Sequence, residues 1–368
     1  MADSRNTKAE SAPIFIACDV NPNGGEGRLA SLFINRWLAE TIESSHVSTV
    51  LAARPGDVVS PTLPKNSRLL RWLSAYCWLF TQLILLRARP LKNVVVLNYL
   101  PLWNVLFFLL VPKDALLGPI TGGGRVNLRH LACRSDRRII IMVARNIVIP
   151  WLYWISFQII KMRGLTIKPA TFGVARVVKM SSVQPRIAEA DPSPVMFAKT
   201  AVRQAKAVTD VVVYTGAHEL KNRTLTVEVI NRLAERGLRV SLVGELDDGH
   251  ELHQRVAHYH GVTQKRVLEI IGQSRVALSL SLVEGGFFTY EVAAMGSRVF
   301  CLPNSGGAKL PGAVELLSED ERIDAKLISK RCLAAFVTTD NETAVDRQSR
   351  SDAVRKMNED AARYFFAR

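Results

Sequence analysis

The chain has 368 residues, of which 48% are hydrophobic and 22% charged, and its 48 Lys and Arg against 33 Asp and Glu give a formal net charge of +15. This composition excludes a disordered chain, which has too few apolar residues to bury, and a collagen, which needs glycine at every third position. At roughly 100 to 200 residues per domain, the length predicts two domains.

The cysteine pattern and the N-terminal residues indicate the cellular compartment of the protein. The five cysteines are far apart in sequence, form no CxxC pair and are odd in number, which favours free thiols in a reducing compartment over a disulfide framework or a zinc site. Residues 1–13 are polar and lack the apolar region of a signal peptide. We therefore expect a cytoplasmic protein. The cysteines are Cys18, Cys77, Cys133, Cys301 and Cys332.

Positive charge is concentrated in residues 61–170, which hold sixteen Lys and Arg but two Asp and no Glu, and five of the six tryptophans. Such interleaving favours an anionic bilayer surface, because indole rings settle at headgroup depth while cations meet phosphate. The sequence thus predicts an anionic membrane surface as a partner, with peripheral attachment to the inner face of the cell membrane. No helix-turn-helix, zinc-finger or RRM signature is present, so nucleic acid is not expected as a partner.

Two apolar runs in this region, 72–86 and 147–160, leave two interpretations open. Both are shorter than the roughly 20 residues that a membrane span needs. They are either core-facing helices of an α/β domain or parts of the membrane-facing surface.

Short apolar strands alternate with helical patterns over the first half of the chain. This alternation predicts a parallel sheet covered by helices, a Rossmann-like pattern, and we assign residues 1–200 to this domain. The predicted strands are 13–18, 47–52, 94–97 and 115–120, with an amphipathic helix at 29–42.

The same alternation restarts after a proline-containing stretch and predicts a second Rossmann-like domain over residues 201–368, which ends in a charged helix at 343–367. The other predicted elements are strands 211–215, 238–243, 276–280 and 298–302, and helices 225–236, one around 267–271, and 290–295.

Residues 279–307 carry the most informative pattern, in which a strand is followed by a turn at 284–286 and a helix that begins near Thr289. Ligands of open α/β sheets bind outside the carboxyl ends of strands. Gly285 and Gly286 allow close backbone approach to a ligand, and the helix N-terminus offers N–H groups to a phosphate. Glu284 and Glu291 are acceptors suited to sugar or ribose hydroxyls. Alternatively, Glu291 caps the first turn of the helix.

This segment resembles the retaining family 4, or group 1, glycosyltransferases, whose hallmark is an E-x7-E motif between a strand and a helix reading EAMA-x-G. Here Glu284 and Glu291 are separated by six residues rather than seven. Residues 211–233 resemble the family's strand-G-R-L-x-x-x-K segment. Ala217 replaces the usual Arg after Gly216. Either His218 substitutes in part, or fewer charges hold the phosphates.

The resemblance, which covers roughly residues 209–307, assigns roles to individual residues. It implies that Lys221 and Arg223 grip the donor diphosphate and that Glu284 contacts the donor sugar, which makes these three the predicted catalytic residues. Glu291 would hold the ribose hydroxyls. Lys221 and Arg223 could instead be solvated charges at a helix start. The remaining predicted donor-binding residues are Gly216, His218, Gly285, Gly286, Phe287, Phe288 and Thr289.

Two glycine loops in the first half are weaker candidates. Gly24, Gly25 and Glu26 follow the first strand and resemble the family's glycine loop, and Gly122 and Gly123 resemble a GP-x-GGG loop. Each could equally be an ordinary strand-to-helix turn.

The resemblance implies an α/β protein of the GT-B class, with two Rossmann-like domains whose parallel sheets face a central cleft. A nucleotide diphosphate sugar would bind to the second domain and a glycan or lipid-linked acceptor to the first. Hexosyl transfer with retention, without a metal or another cofactor, is expected, in polysaccharide or glycolipid assembly. Two alternatives remain: a catalytically weakened GT-B protein that binds a nucleotide sugar or a partner at the membrane, and a GT-B enzyme of different outcome, such as a sugar-nucleotide epimerase.

Overall fold

Two separate parallel sheets organise the chain in a computed structural model. It describes residues 14–17, 28, 30–36, 49–52, 77–85, 94–97, 105–120, 136–169, 208–216, 221–246, 249–282, 287–303, 305–339 and 342–366. The two sheets belong to different compact units, and each is described by itself.

The first sheet has five parallel strands in the order β2-β1-β3-β4-β5. Its central strands β1 and β3 are short apolar runs that are buried, as expected of a sheet covered on both faces. The strands are β1 (Ile14–Ala17), β2 (Thr49–Ala52), β3 (Val94–Leu97), β4 (Leu116–Ile120) and β5 (Thr166–Pro169). Helical residues of this half are α1 (30–36), α2 (77–85), α3 (Val105–Leu110) and α4 (Asp136–Met162).

Helix α4 spans 27 residues and includes Pro150, so it begins eleven residues before the predicted apolar run 147–160. A proline inside a helix removes one backbone N–H donor, and its ring crowds the preceding turn. The residues after Pro150 pack into the protein, with Tyr153, Phe157 and Ile160 buried. Among the described residues, no helix combines the length and the apolar composition that a membrane span requires.

The second sheet has six parallel strands in the order β11-β10-β9-β6-β7-β8. The strands are β6 (Thr209–Thr215), β7 (Val240–Gly244), β8 (Val256–Tyr259), β9 (Ser274–Ser279), β10 (Arg298–Cys301) and β11 (Ala313–Glu315). The helices are α5 (Arg223–Glu235), α6 (Gln264–Gly272), α7 (Phe287–Ala294), α8 (Ala325–Thr338) and α9 (Ala344–Phe366).

The core of this unit lies on both faces of the second sheet. Val211 and Val213 of β6 join one apolar cluster, which includes residues of α5 and α8, while Val212 between them joins the other, with residues of α6 and α7. Successive side chains of a strand point to opposite faces, so the continuous apolar run of β6 supplies both layers. The unit is therefore a helix–sheet–helix sandwich.

The predicted strands and the C-terminal helix are confirmed within a few residues, but several elements were not predicted. Helix α7 begins two residues earlier than expected, and α8 and the strands β5, β8 and β11 are additional. The edge strand β8 was not predicted because its sequence contains no apolar run, and Val256 is its one buried residue.

Close backbone packing between β6 and β7 generates a stability prediction. Gly244 has φ 116°, and a Cβ there would lie 1.9 Å from the carbonyl oxygen of Thr215, whereas Gly249 has φ 104° with nothing within 4 Å. We expect Gly249→Ala to lower the free energy of unfolding by about 1–2 kcal/mol through backbone strain alone. Gly244→Ala should cost at least about 2 kcal/mol more, because the strands must move apart. Urea denaturation of both variants measures the difference, and equal losses would contradict the contact.

Candidate functional site

The strand order of the second sheet reverses between β6 and β9. From β6 the chain moves outward through β7 and β8, then returns to place β9 on the other side of β6. The connections after β6 and β9 therefore leave in opposite directions at the carboxyl edge. A crevice for ligands is expected at such a point, and the two segments singled out in the sequence follow these two strands.

Gly216, directly after β6, lies beside the side chain of Lys221. A Cβ built on Gly216 would lie 3.8 Å from Lys221 Cγ and 3.7 Å from the ring atom Cε1 of Tyr214. Burial lowers the pKa of the Lys221 ammonium, because removal from water penalises its charged form. Burial, followed by the charge of Glu245, raises the pKa of the Tyr214 hydroxyl. A partly desolvated cation thus stands at the end of the central strand.

Asn222 fixes the start of α5 against the end of β9. Its backbone is left-handed, with φ 49°, and its side-chain Nδ2 donates to the carbonyl oxygen of Leu280 at 3.0 Å. Its own carbonyl oxygen accepts from the Thr226 backbone N–H at 2.8 Å and from Thr226 Oγ1 at 2.9 Å. Lys221 and the half-buried Arg223 flank this residue. Both cations therefore begin α5 next to the carboxyl end of β9.

The first turn of α7 contacts the end of β6 through a pair of aromatic rings. Phe288 stacks on Tyr214 with ring centroids 5.7 Å apart and an interplanar angle of 28°. Thr289 is buried and Phe287 is half-buried. The stack brings the N-terminus of α7, with its outward-facing N–H groups, alongside the end of β6.

Glu291 is buried, with 1% of its surface exposed. Gln264 Nε2, at the first residue of α6, donates to both carboxylate oxygens, at 3.0 and 3.1 Å. The interpretation of Glu291 as a cap of the first helical turn is wrong, since it is the fifth residue of α7 and the first turn holds no acidic residue. A buried carboxylate needs such donors, because desolvation without them is costly.

The structure thus brings together four of the predicted site residues. Lys221 lies beside Gly216, Tyr214 links this pair to Phe288, and Glu291 lies one helical turn after Phe288 on α7. Phe287, Thr289 and Arg223 belong to the adjoining helix starts. The other predicted site residues lie outside the described part of the chain: His218, Glu284, Gly285, Gly286, Gly24, Gly25, Glu26, Gly122 and Gly123.

Three contributors were missed by the sequence analysis, namely Tyr214, Asn222 and Gln264. An Asn immediately before an amphipathic run is a known helix-start signal that could have drawn attention to Asn222. The other two have no local signature.

The chemistry of this arrangement is that of an anion and hydroxyl site. Two basic side chains and the N-termini of α5 and α7 favour a phosphate group, while the carboxylate of Glu291 is an acceptor for hydroxyls. Within the described ranges, no cluster of three His, Cys, Asp or Glu could hold a metal ion.

No family model and no curated protein matches the sequence. Solved structures do match the fold. A protein from Listeria monocytogenes named as a UDP-N-acetylglucosamine 2-epimerase aligns over 96% of this chain and 97% of its own, with TM-score 0.55 and 11% identity. WaaG, a glycosyltransferase involved in lipopolysaccharide biosynthesis, aligns over 95% and 97%, with TM-score 0.54 and 12% identity. A ugt transferase from Siraitia grosvenorii in complex with UDP aligns over 95% of both chains, with TM-score 0.53 and 12% identity.

The chain has the GT-B fold. At 11 to 12% identity, the likeness extends to the architecture of two Rossmann-like domains with parallel sheets. The site described above lies at the carboxyl edge of the second of these GT-B domains.

The Gln264–Glu291 pair can be tested as a buried contact. Gln264→Leu leaves a buried carboxylate without this donor, so we expect the free energy of unfolding to fall by about 1–3 kcal/mol. Gln348 donates to Asp352 at 3.1 Å across an exposed helical turn, and Gln348→Leu should cost no more than about 0.5 kcal/mol. Denaturant titrations compare the two variants, and an equally small loss for both would argue against the buried contact.

Proposed function

We propose that this protein is a glycosyltransferase that moves a hexose from a nucleotide diphosphate sugar to a glycan or lipid-linked acceptor, with retention and without a bound metal. The observation that carries the proposal is the position of Lys221 and Glu291. A desolvated cation and a buried carboxylate flank the strand-order reversal of the second GT-B domain. This is where open α/β sheets bind nucleotides.

Lys221 and Arg223 stabilise the departing nucleotide diphosphate in this proposal. Breakage of the bond between the sugar and the diphosphate develops negative charge on the leaving oxygen. A partly desolvated ammonium acts more strongly on that charge than one surrounded by water, because the local dielectric is lower. The N–H groups at the starts of α5 and α7 add fixed positive ends of dipoles.

Glu291 accepts hydrogen bonds from the ribose hydroxyls, with Gln264 holding its carboxylate in one orientation. Glu284 contacts the donor sugar, as the family resemblance implies. The donor phosphate itself assists removal of the proton from the acceptor hydroxyl, so the reaction requires no separate side-chain base. Retention of the anomeric configuration follows from attack on the face of the sugar that the diphosphate leaves.

Two of the proteins with a similar fold are themselves transferases, which supports the proposal. WaaG is a glycosyltransferase of lipopolysaccharide biosynthesis, and the Siraitia grosvenorii protein is a transferase with UDP bound. We extend this to a cytoplasmic enzyme of polysaccharide or glycolipid assembly whose acceptor is a glycan or a lipid-linked sugar at the inner membrane face.

Two further functions have specific support. The fold of the Listeria monocytogenes protein, named as a sugar-nucleotide 2-epimerase, favours an epimerase as the second candidate. Ala217 in place of arginine and the six-residue spacing before Glu291 favour a weakened protein that binds the nucleotide sugar without turnover.

A nucleotide-binding experiment tests the site. Calorimetry with UDP, GDP, ADP, dTDP and CMP should give selective binding of one diphosphate. Glu291→Gln should weaken that binding by about tenfold, because hydrogen bonds to a charged acceptor are the stronger kind. Glu269→Gln, an exposed carboxylate on α6 paired with Arg266, is the matched control and should bind as the parent does. Absence of binding by any nucleotide contradicts the proposed site.

Product analysis then separates the candidates. Incubation with the sugar derivative of the selected nucleotide and an acceptor should give a glycosylated product whose anomeric configuration, read by NMR, matches the donor. Free sugar epimer without an acceptor product would indicate the epimerase, and binding without any product would indicate the weakened protein.

The lowered pKa of Lys221 gives a pH prediction. An ammonium with a lowered pKa loses its proton at a lower pH than an exposed lysine, so diphosphate affinity should fall as the pH rises through that pKa. Over the same pH range the free energy of unfolding should rise, because the unfolded chain, with its normal lysine pKa, binds more protons than the folded chain. Lys221→Arg keeps its charge and should remove the fall.

Binding constants measured between about pH 7 and 10 check this prediction. Lys330→Arg, an exposed lysine on α8, should leave the fall unchanged. A parallel fall in Lys221→Arg would mean that another group titrates.

A further inference from the structure

Gly216, the first residue after β6, has room for a side chain. Its φ lies outside the left-handed region, and among the described residues a Cβ built on it would meet no atom closer than 3.7 Å, which is ordinary van der Waals contact. Gly244, at the end of β7, differs in both respects. The described part of the fold therefore does not require glycine at 216, and the missing Cβ leaves space for a group from outside the chain.

The side chains of Tyr214 and Lys221 border this space. From the position of a Cβ on Gly216, the Tyr214 hydroxyl oxygen is 3.9 Å away and Lys221 Cγ is 3.8 Å away. Both side chains end in a hydrogen-bond donor, a phenol hydroxyl and an ammonium. We call the space beside Gly216, bordered by Tyr214 and Lys221, the Gly216 niche.

The ring of Tyr214 is held in place while part of it stays open to solvent. Phe288 stacks on the ring with centroids 5.7 Å apart, yet 41% of Tyr214 is exposed. A buried strand end seldom presents so large an aromatic surface to water. The stack fixes the hydroxyl beside Gly216 before any ligand arrives, which lowers the entropic cost of binding.

The Tyr214 hydroxyl remains a donor over the ordinary pH range. Burial raises the pKa of this hydroxyl, and the charge of Glu245 raises it further. Glu245 is itself exposed, so water screens its charge at the niche. Phosphate oxygens only accept hydrogen bonds, so a hydroxyl that keeps its proton beside a lysine suits a phosphate better than a sugar hydroxyl.

We propose that the Gly216 niche receives a phosphate group, with the Tyr214 hydroxyl donating to it beside the Lys221 ammonium. The N-terminus of α7, which the Phe288 stack brings alongside, adds N–H groups and positive dipole. The inference rests on the proposed function, in which the ligand is a nucleotide diphosphate sugar. It adds Tyr214 as a phosphate-binding residue of the donor site.

Calorimetry on the full chain tests the niche with three probes: inorganic pyrophosphate, the nucleoside diphosphate that the parent selects, and the matching nucleoside without phosphate. Tyr214→Phe keeps the ring and its stack but removes the hydroxyl. We expect both phosphate-containing probes to bind about tenfold more weakly, with nucleoside binding unchanged. Tyr153→Phe, on α4 in the other compact unit, is the matched control and should bind all three probes as the parent does.

Gly216→Ala is an independent variant of the same niche. The added methyl group fits among the described neighbours, so the midpoint of thermal unfolding should stay that of the parent. The methyl group occupies the niche, however, and keeps a phosphate from Tyr214 and Lys221. Pyrophosphate and the nucleoside diphosphate should therefore bind at least about tenfold more weakly.

Three results overturn the proposal. They are unchanged binding of both phosphate-containing probes by Tyr214→Phe, a loss that the nucleoside shares equally, and a parent that binds neither phosphate-containing probe. The proposed function is read separately. Diphosphate binding that depends on Glu291 but not on Tyr214 leaves the donor site without the niche. Pyrophosphate binding that depends on Tyr214, without binding of any nucleotide, leaves the niche without the donor site.

Discussion

The candidate site depends on one hydrogen bond between segments far apart in sequence, from the amide of Asn222 to the carbonyl oxygen of Leu280. The bond joins the start of α5 to the carboxyl end of β9, across the point where the strand order reverses. It requires a left-handed backbone at Asn222, a conformation that asparagine tolerates better than most residues. The bond adds to the apolar packing of α5 on the sheet and holds Lys221 and Arg223, on either side of Asn222, next to the end of β9.

Two charged groups of the site are held in surroundings that oppose their charge. Glu291 is nearly inaccessible to water, and its orientation depends on Gln264 from another helix. Lys221 is desolvated enough for its pKa to fall. Desolvation of these groups costs free energy during folding rather than during binding, so a ligand that supplies phosphate and hydroxyls meets a preorganised site. This is how a small number of polar groups can contribute strongly to recognition.

The sequence predicted those parts of the fold that depend on local pattern. The apolar runs of β3, β6 and β9 identify strands because buried parallel strands are apolar on both faces. Gly216 was assigned to the site because it follows a strand, and Phe288 because it lies at the start of a helix. Tyr214 and Gln264 were not predicted, because their roles depend on contacts with residues far along the chain. The start of α4 at Asp136, eleven residues before the predicted apolar run 147–160, was also not predicted.

The position of Glu291, the second glutamate of the pair Glu284 and Glu291, is set by contacts of α7 within the second domain. Phe288 is fixed by its stack on Tyr214, and Glu291, three residues later, is fixed by Gln264. These two contacts set both the rotation and the start of α7, so the second glutamate cannot shift along the helix without breaking both. Strand β9 is likewise held by its registers with β6 and β10. The end of β9 and the start of α7 are therefore both held by contacts within the second domain.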